Sequence, residues 1–269
     1  MAIVLFSGGL DSMINLAWAK QHFSHVQALY VNFGHRYAQR EMDAAIRICS
    51  EMQVDLRLME VGIGMVEHAD GFIPLRNLLL IELASYLSTD IVFGMLHHEC
   101  PKDKRPAFVR QMQRILNQQY NQKVYFDERK QFTIHAPFGN RTKTEMLEWF
   151  LGNHATDYAL VFETIGCFSS DGGCGRCNSC FNRWIALTNC GLKETYRYSP
   201  PRWAAEQFVI GRRHGQSVFG IGQAIYRRRH IAEIFQAYRR IMQSPMRTAL
   251  KLYRTKSIDA YVESLRCAT

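Results

Sequence analysis

The chain has 269 residues, 47% of them hydrophobic, and a formal net charge of +9. That length provides one large domain, or one domain with an appendage. The ordinary apolar content and the lack of any run of about 20 apolar residues exclude a disordered chain and a single-span membrane protein.

Charge and cysteine narrow the class further. Lys193 to Thr269 carries 15 basic and 5 acidic residues, against 18 basic and 19 acidic in the other 192. The excess positive charge therefore lies in the last 77 residues and suits an acidic partner there. The first apolar run starts at Ala2 with no basic segment ahead of it. No signal peptide is expected, and the cytoplasm is the expected location. Eight cysteines in such a chain point to metal or redox chemistry rather than a disulfide framework.

Ala2-Ile3-Val4-Leu5 predicts a buried strand, and Phe6-Ser7-Gly8-Gly9-Leu10-Asp11-Ser12 a tight turn running into a helix from about Ser12 to residue 23. Leu29 to Phe33 predicts a second strand, Arg40 to Met52 a helix with apolar residues at helical spacing, and Asp55 to Val61 a third strand. Leu78 to Tyr86 reads as a buried helix and Asp90 to Met95 as a fourth strand. Pro106 to Gln119 is a helix with Phe108, Met112, Ile115 and Leu116 on one side. Phe132 to Ala136 is a fifth strand. Thr142 to Leu151 is a helix whose Thr142 and Glu145 form a capping-box pattern. The βαβ rhythm predicts a doubly wound α/β fold around a parallel sheet with right-handed crossovers. Ligands of such sheets lie beyond the carboxyl ends of the strands. That is where Ser7 to Ser12, Gly34-His35-Arg36, His97-His98 and Lys143 fall.

A turn rich in small residues between a strand and a helix aims main-chain N–H groups and a helix N-terminus at one point, which makes an anion site. Gly8 and Gly9 let a phosphate approach without a Cβ in the way. Asp11 is out of place unless it holds the loop or helps to bind a metal. The string is not the Gly-x-x-x-x-Gly-Lys-Ser/Thr loop. Ser-Gly-Gly-x-Asp-Ser resembles the PP-loop of the ATP pyrophosphatase superfamily, which cleaves ATP between the α- and β-phosphates. The resemblance implies an adenine nucleotide alpha hydrolase-like fold, with Phe6, Ser7, Gly8, Gly9, Leu10, Asp11 and Ser12 binding ATP with Mg²⁺.

Cys167, Cys174, Cys177 and Cys180 have the spacing Cys-x6-Cys-x2-Cys-x2-Cys, with Gly172, Gly173 and Gly175 among them. Four local thiolates suit Zn²⁺ in a closed structural knuckle at 167–180, and the same spacing also suits an iron–sulfur cluster. The glycine spacers and local packing favour zinc. Cys49, Cys100, Cys190 and Cys267 are scattered and read as core or surface thiols.

A PP-loop followed by such a knuckle resembles the 7-cyano-7-deazaguanine synthase family of queuosine biosynthesis. Phe33-Gly34-His35-Arg36 is similar to its Tyr-Gly-Gln-Arg/Lys segment, and Phe72-Ile73-Pro74-Leu75-Arg76-Asn77 to its Val-Pro-Gly-Arg-Asn segment. Thr164-Ile165-Gly166-Cys167-Phe168, Cys174 to Cys180 and Arg183 resemble its zinc segment. The likeness covers about residues 2–190, so 1–192 is expected to be the PP-loop ATPase domain and 193–269 a basic helical extension. The resemblance implies an ATP-dependent carbon–nitrogen ligase. A 7-carboxy-7-deazaguanine is adenylated, ammonia displaces AMP to give an amide, and a second activation dehydrates it to the nitrile. Asp11, Arg76 and Lys143 are then the expected catalytic residues. Gly34, His35, Arg36, Asn77, His97, His98, Asp103 and Arg105 are expected to bind substrate.

Two departures stand out. Leu75 occupies a position where the family has glycine, which predicts a differently shaped loop before Arg76. Leu96 to Arg105 is shorter and more basic than the family's deazaguanine-contacting stretch, and His97 and His98 read as substrate contacts or as plain loop residues. This motivates a second possibility, transfer of the activated acyl group to an amine of a protein. A third is a tRNA-modifying PP-loop enzyme, motivated by Tyr226-Arg227-Arg228-Arg229-His230 and the surrounding arginines. The extension, with Ile231, Ile234, Phe235, Tyr238 and Ile241 at helical spacing, is compatible with packing on the core or a homodimer interface, with nucleic acid, and with an acidic protein. No membrane contact is expected.

Overall fold

The computed structural model describes residues 1–68, 71–96, 102–124, 128–167, 169 and 172–209, with residues 236, 239, 240 and 243. The chain divides into two compact units, Met1–Gly172 and Gly173–Thr269.

The first unit holds five strands: β1 (Ala2–Leu5), β2 (Val26–Asn32), β3 (Asp55–Glu60), β4 (Asp90–Val92) and β5 (Thr133–His135). All pair in parallel, in the order β3-β2-β1-β4-β5. The register sets Ala2 against both Val26 and Asp90, so the apolar run expected to open the chain forms the sheet centre. Ala2, Ile3 and Val4 have no exposed surface, as a strand covered on both faces requires. β3, at the edge, puts the charged Asp55, Arg57 and Glu60 into solvent, which blunts pairing with another chain.

The connecting helices are α1 (Leu10–His22), α2 (Ala38–Glu51), α3 (Arg76–Ser85), α4 (Pro106–Gln119), α5 (Lys143–Asn153) and the short α6 (Leu160–Glu163). Alternate strand residues share a face, so Ile3, Leu5, Leu29, Val31 and Ile91 meet Ile81 of α3 and Met112 of α4 in one core. Each fully buried aliphatic side chain there contributes roughly 1.5–3 kcal/mol. On β1, α1 packs also against α5, while α2 packs on β2 and β3. The α5 capping box forms as expected: Thr142 Oγ1 accepts the Glu145 N–H at 3.2 Å, and a Glu145 carboxylate oxygen accepts the Thr142 N–H at 2.7 Å. Strand order reverses between β1 and β4, and the crevice beyond their carboxyl ends is the ligand position of such sheets.

Some boundaries differ from the sequence reading. α1 begins at Leu10, because Gly9 takes the N-cap position, and Ser12 lies within the first turn. α3 begins at Arg76, and β4 ends at Val92.

The second unit contains α7 (Asn178–Asn189) and α8 (Pro200–Val209). Phe181 and Ile185 pack on Ala204, with Trp184 and Trp203 alongside. Arg183 is buried and meets both carboxylate oxygens of Glu194 through Nε at 3.0 and 2.9 Å. Gly175 has φ +69, and a Cβ on it would fall 1.8 Å from the Tyr198 carbonyl oxygen. No other residue fits there without moving the 196–198 main chain. Most of the expected extension lies outside the described residues. Among those described, no helix is long and apolar enough to cross a membrane.

The loop before Arg76 was expected to be reshaped by Leu75. Leu75 adopts φ 58, ψ 11, the left-handed conformation a glycine takes freely. Its side chain is 68% exposed, so little packing offsets the strain of about 1–2 kcal/mol. Leu75→Gly is expected to raise unfolding stability by up to ~1 kcal/mol in urea titration, since the greater freedom of glycine in the unfolded chain offsets part of the relief. Leu75→Val is expected to lower it, because a β-branched residue tolerates this conformation worse. A clear loss in Leu75→Gly would contradict the strain argument.

Candidate functional site

The 6–12 loop is built around a missing side chain. Gly8 has φ +68, and a Cβ there would lie 2.7 Å from the Glu41 carbonyl oxygen and 3.0 Å from Ala44 Cβ and Ala45 N. The first turns of α2 therefore close directly on the loop. Phe6 is buried, and its N–H donates to the Leu29 carbonyl at 2.8 Å. The Gly9 carbonyl accepts the Met13 N–H at 3.0 Å and the Ser12 hydroxyl at 2.9 Å. Ser12 Oγ in turn accepts the Ser7 N–H at 3.2 Å. The Ser12 hydroxyl thus shapes the turn. The N–H groups of the first turn of α1 have no acceptor within their own helix and are oriented as anion donors are.

Asp11 finds a partner far away in sequence. Lys143 Nζ donates to both of its carboxylate oxygens, at 2.6 and 2.8 Å. Both side chains are mostly buried, 19% and 24% exposed. Asp11 belongs to the first turn of α1 and Lys143 to the first of α5, so packing of these helices aligns the pair. The carboxylate that seemed hostile to phosphate is therefore neutralised, and the local field no longer opposes an anion. Asn15, one turn on, donates to the Asp11 carbonyl at 2.8 Å.

The segment after β2 is tied down as firmly. Gly34 has φ +74 and donates its N–H to Asn32 Oδ1 at 2.9 Å. His35 is 5% exposed and its Nε2 lies 3.0 Å from Glu41 Oε2. Arg36 pairs with Glu67, Nε to Oε1 at 3.1 Å. The Tyr37 ring stands edge-on to His35, centroids 4.3 Å apart. Burial, then the nearby Glu41 carboxylate, holds the Tyr37 phenol protonated above its usual range, while a hydrogen bond from Arg76 works the other way. Asn77, buried at the start of α3, donates to Asp103 Oδ2 at 2.9 Å. Arg105 is exposed at the N-cap of α4. His97 and His98 lie outside the described residues.

The four cysteines converge. The sulfurs of Cys167, Cys174, Cys177 and Cys180 all lie within 4.8 Å of one another. Cys174 and Cys180 Sγ are 3.9 Å apart, and a tetrahedral ion with Zn–S bonds of about 2.3 Å gives S···S edges of about 3.8 Å. Main-chain N–H groups of Ser169, Arg176 and Cys180 donate to Cys167, Cys174 and Cys177 at 3.4, 3.3 and 3.4 Å. The set fits one Zn²⁺; a multi-iron cluster would spread its ligands over separate irons. Cys49 is of another kind: burial pushes its thiol up to about 12, which keeps it protonated.

Sequence reasoning missed Glu41, Tyr37 and Arg40. Glu41 and Arg40 look like ordinary polar positions on an amphipathic helix. It also gave no role to Ile165, which forms a parallel bridge with Gly9.

A family profile described as queuosine biosynthesis protein QueC matches residues 1–68 and 64–191. The 7-cyano-7-deazaguanine synthase of Myxococcus xanthus strain DK1622 is 30% identical over 231 residues, covering 74% of this chain and 97% of that protein. The 7-cyano-7-deazaguanine synthase of Parabacteroides distasonis is 29% identical over 210 residues, covering 66% and 89%. That of Thiobacillus denitrificans is 29% identical over 229 residues, covering 74% and 98%. A loop, a knuckle and a sheet in the expected order, matched through residue 191, place the chain in the queuosine biosynthesis protein QueC family.

Proposed function

We propose that this chain is a 7-cyano-7-deazaguanine synthase-like ligase, with residues 1–192 as its ATPase domain and 193–269 as a basic extension. The observation that carries the reading is the neutralised Asp11–Lys143 pair beside the glycine turn at the sheet centre. The loop binds the departing pyrophosphate through main-chain N–H groups. A carboxylate oxygen of 7-carboxy-7-deazaguanine attacks the α-phosphorus of ATP, and the bond to the β-phosphate oxygen breaks. Ammonia then attacks the carboxyl carbon, AMP leaves, and a proton is lost to give the amide. A second ATP takes the amide oxygen in the same way, and loss of AMP and of both nitrogen-bound protons leaves the nitrile. Negative charge builds on pyrophosphate in both activations, so Arg76 and Lys143 act as the compensating cations. Magnesium, when bound with ATP, supplies further charge neutralisation. Gly34, His35, Arg36, Asn77, His97, His98, Asp103 and Arg105 form the acceptor side, Asp103 being oriented by Asn77.

The shorter, more basic 97–105 segment and the residues beyond the matched region favour one second reading: delivery of the same acyl adenylate to an amine of a protein partner. The positive charge after residue 192 supports an acidic protein or a tRNA as contact, in keeping with a cytoplasmic location.

Incubation of the purified chain with magnesium-ATP, 7-carboxy-7-deazaguanine and ammonia, followed by mass spectrometry, is expected to yield the free nitrile with two AMP per nitrile. A mass adduct on a protein with no nitrile would select the second reading, and no AMP release would refute both. Lys143→Met is expected to lower kcat/KM at least about 10²-fold. Adding Asp11→Asn is expected to recover stability lost in Lys143→Met, as removal of the stranded carboxylate charge requires, without recovering activity. Full activity in Lys143→Met would exclude it from phosphate contact.

A further inference from the structure

The cysteine cluster is wired to the 6–12 loop by the main chain. The Ile165 N–H donates to the Gly8 carbonyl at 2.9 Å, and Ile165 forms an isolated parallel bridge with Gly9. A Cβ on Gly9 would lie 3.3 Å from the Ile165 carbonyl oxygen. Two residues later stands Cys167, a member of the cluster and 5% exposed. Two residues of chain reach no more than about 7 Å, so the main-chain path from Cys167 to the loop is short. The other end of this segment is fixed: Thr164 is buried and its hydroxyl donates to the Val161 carbonyl at 2.6 Å.

A second connection runs through α2. Arg40 Nη1 donates to the Ser169 carbonyl at 2.5 Å, and a Cβ on Gly172 would meet the Arg40 guanidinium at 2.4 Å. The next residue, Glu41, gives the carbonyl that closes on Gly8. The main chain around Cys167 therefore bears on Gly8 from two sides, through Ile165 and through the start of α2.

We propose that the Thr164–Cys167 main chain couples the cysteine cluster to the phosphate loop, so that metal held by Cys167 and its partners and nucleotide held by residues 6–12 strengthen each other's binding. A shared ion ties the four sulfurs together, and Cys167 is the member two residues from Ile165, which contacts Gly8 and Gly9. Ile165 is then a positioning residue that acts through its N–H rather than its side chain. The proposal rests on the reading of the 6–12 loop as an ATP site.

The test is a linkage measurement on the zinc-loaded full chain. Zinc is titrated away with a chromophoric chelator, with and without saturating magnesium-ATP, and ATP affinity is measured by equilibrium dialysis before and after metal removal. ATP is expected to raise zinc affinity about fivefold or more, and zinc to raise ATP affinity by the same factor, as reciprocity demands. Ile165→Pro, which lacks the N–H, is expected to keep its zinc but lose the coupling, whereas Ile165→Val keeps both. The wild-type measurement needs no variant, so a folding defect in Ile165→Pro does not blunt it. Zinc affinity unchanged by ATP, in a chain that binds ATP measurably, would overturn the coupling and leave the ATP reading standing. Failure of the zinc-loaded chain to bind ATP would overturn both.

Discussion

No side chain fits at Gly8, and the rest of the site follows from that. The carbonyl of Glu41 sits where a Cβ would be. α2 can therefore press on the loop, and Ile165 can pair with its other edge. A loop held on both sides presents its N–H groups in one fixed direction and needs little reorganisation when an anion arrives. Preorganised dipoles of this kind supply most of their stabilisation where charge develops, in the proposed reaction on a departing pyrophosphate.

Fixed N–H groups alone do not make a good anion site if a carboxylate stands among them. The Asp11–Lys143 pair resolves that conflict by joining two helix N-termini across the sheet centre. The aligned dipoles at both helix starts favour negative charge in the same region. The pair balances the site before ligand binds and leaves the ammonium next to the loop. The surrounding groups are equally committed: His35 to Glu41, Arg36 to Glu67, Arg76 to Tyr37 and Asn77 to Asp103. Each of these pairs restricts the side chains it joins, although the buried His35 Nδ1 and Glu67 Oε1 have no hydrogen-bond partner.

Much of this was legible from short-range pattern. The central strand is a continuous apolar run, the α5 capping box needs residues three apart, and the cysteine cluster spans fourteen residues of sequence. What could not be read was pairing at long range. Asp11 and Lys143 are 132 residues apart, and nothing in either flank announces the other. Ile165 touches Gly8 and Gly9 through main-chain atoms, which leave no mark in a side-chain sequence. His35, expected among the substrate contacts, is 5% exposed with Nε2 3.0 Å from Glu41 Oε2, a pairing that neither flank shows. Leu75 holds a left-handed conformation that its residue type alone does not announce.

The central claim is that the glycine loop activates a carboxylate by adenylation. It is tested most directly by following oxygen. With 7-carboxy-7-deazaguanine labelled with ¹⁸O in both carboxylate oxygens, magnesium-ATP and ammonia, attack on the α-phosphorus carries one labelled oxygen into AMP, because ammonia later breaks the carbon–oxygen bond. The account predicts AMP with a single ¹⁸O from the first activation and unlabelled pyrophosphate. ADP with ¹⁸O in orthophosphate would contradict it, since the attack would then have fallen on the γ-phosphorus.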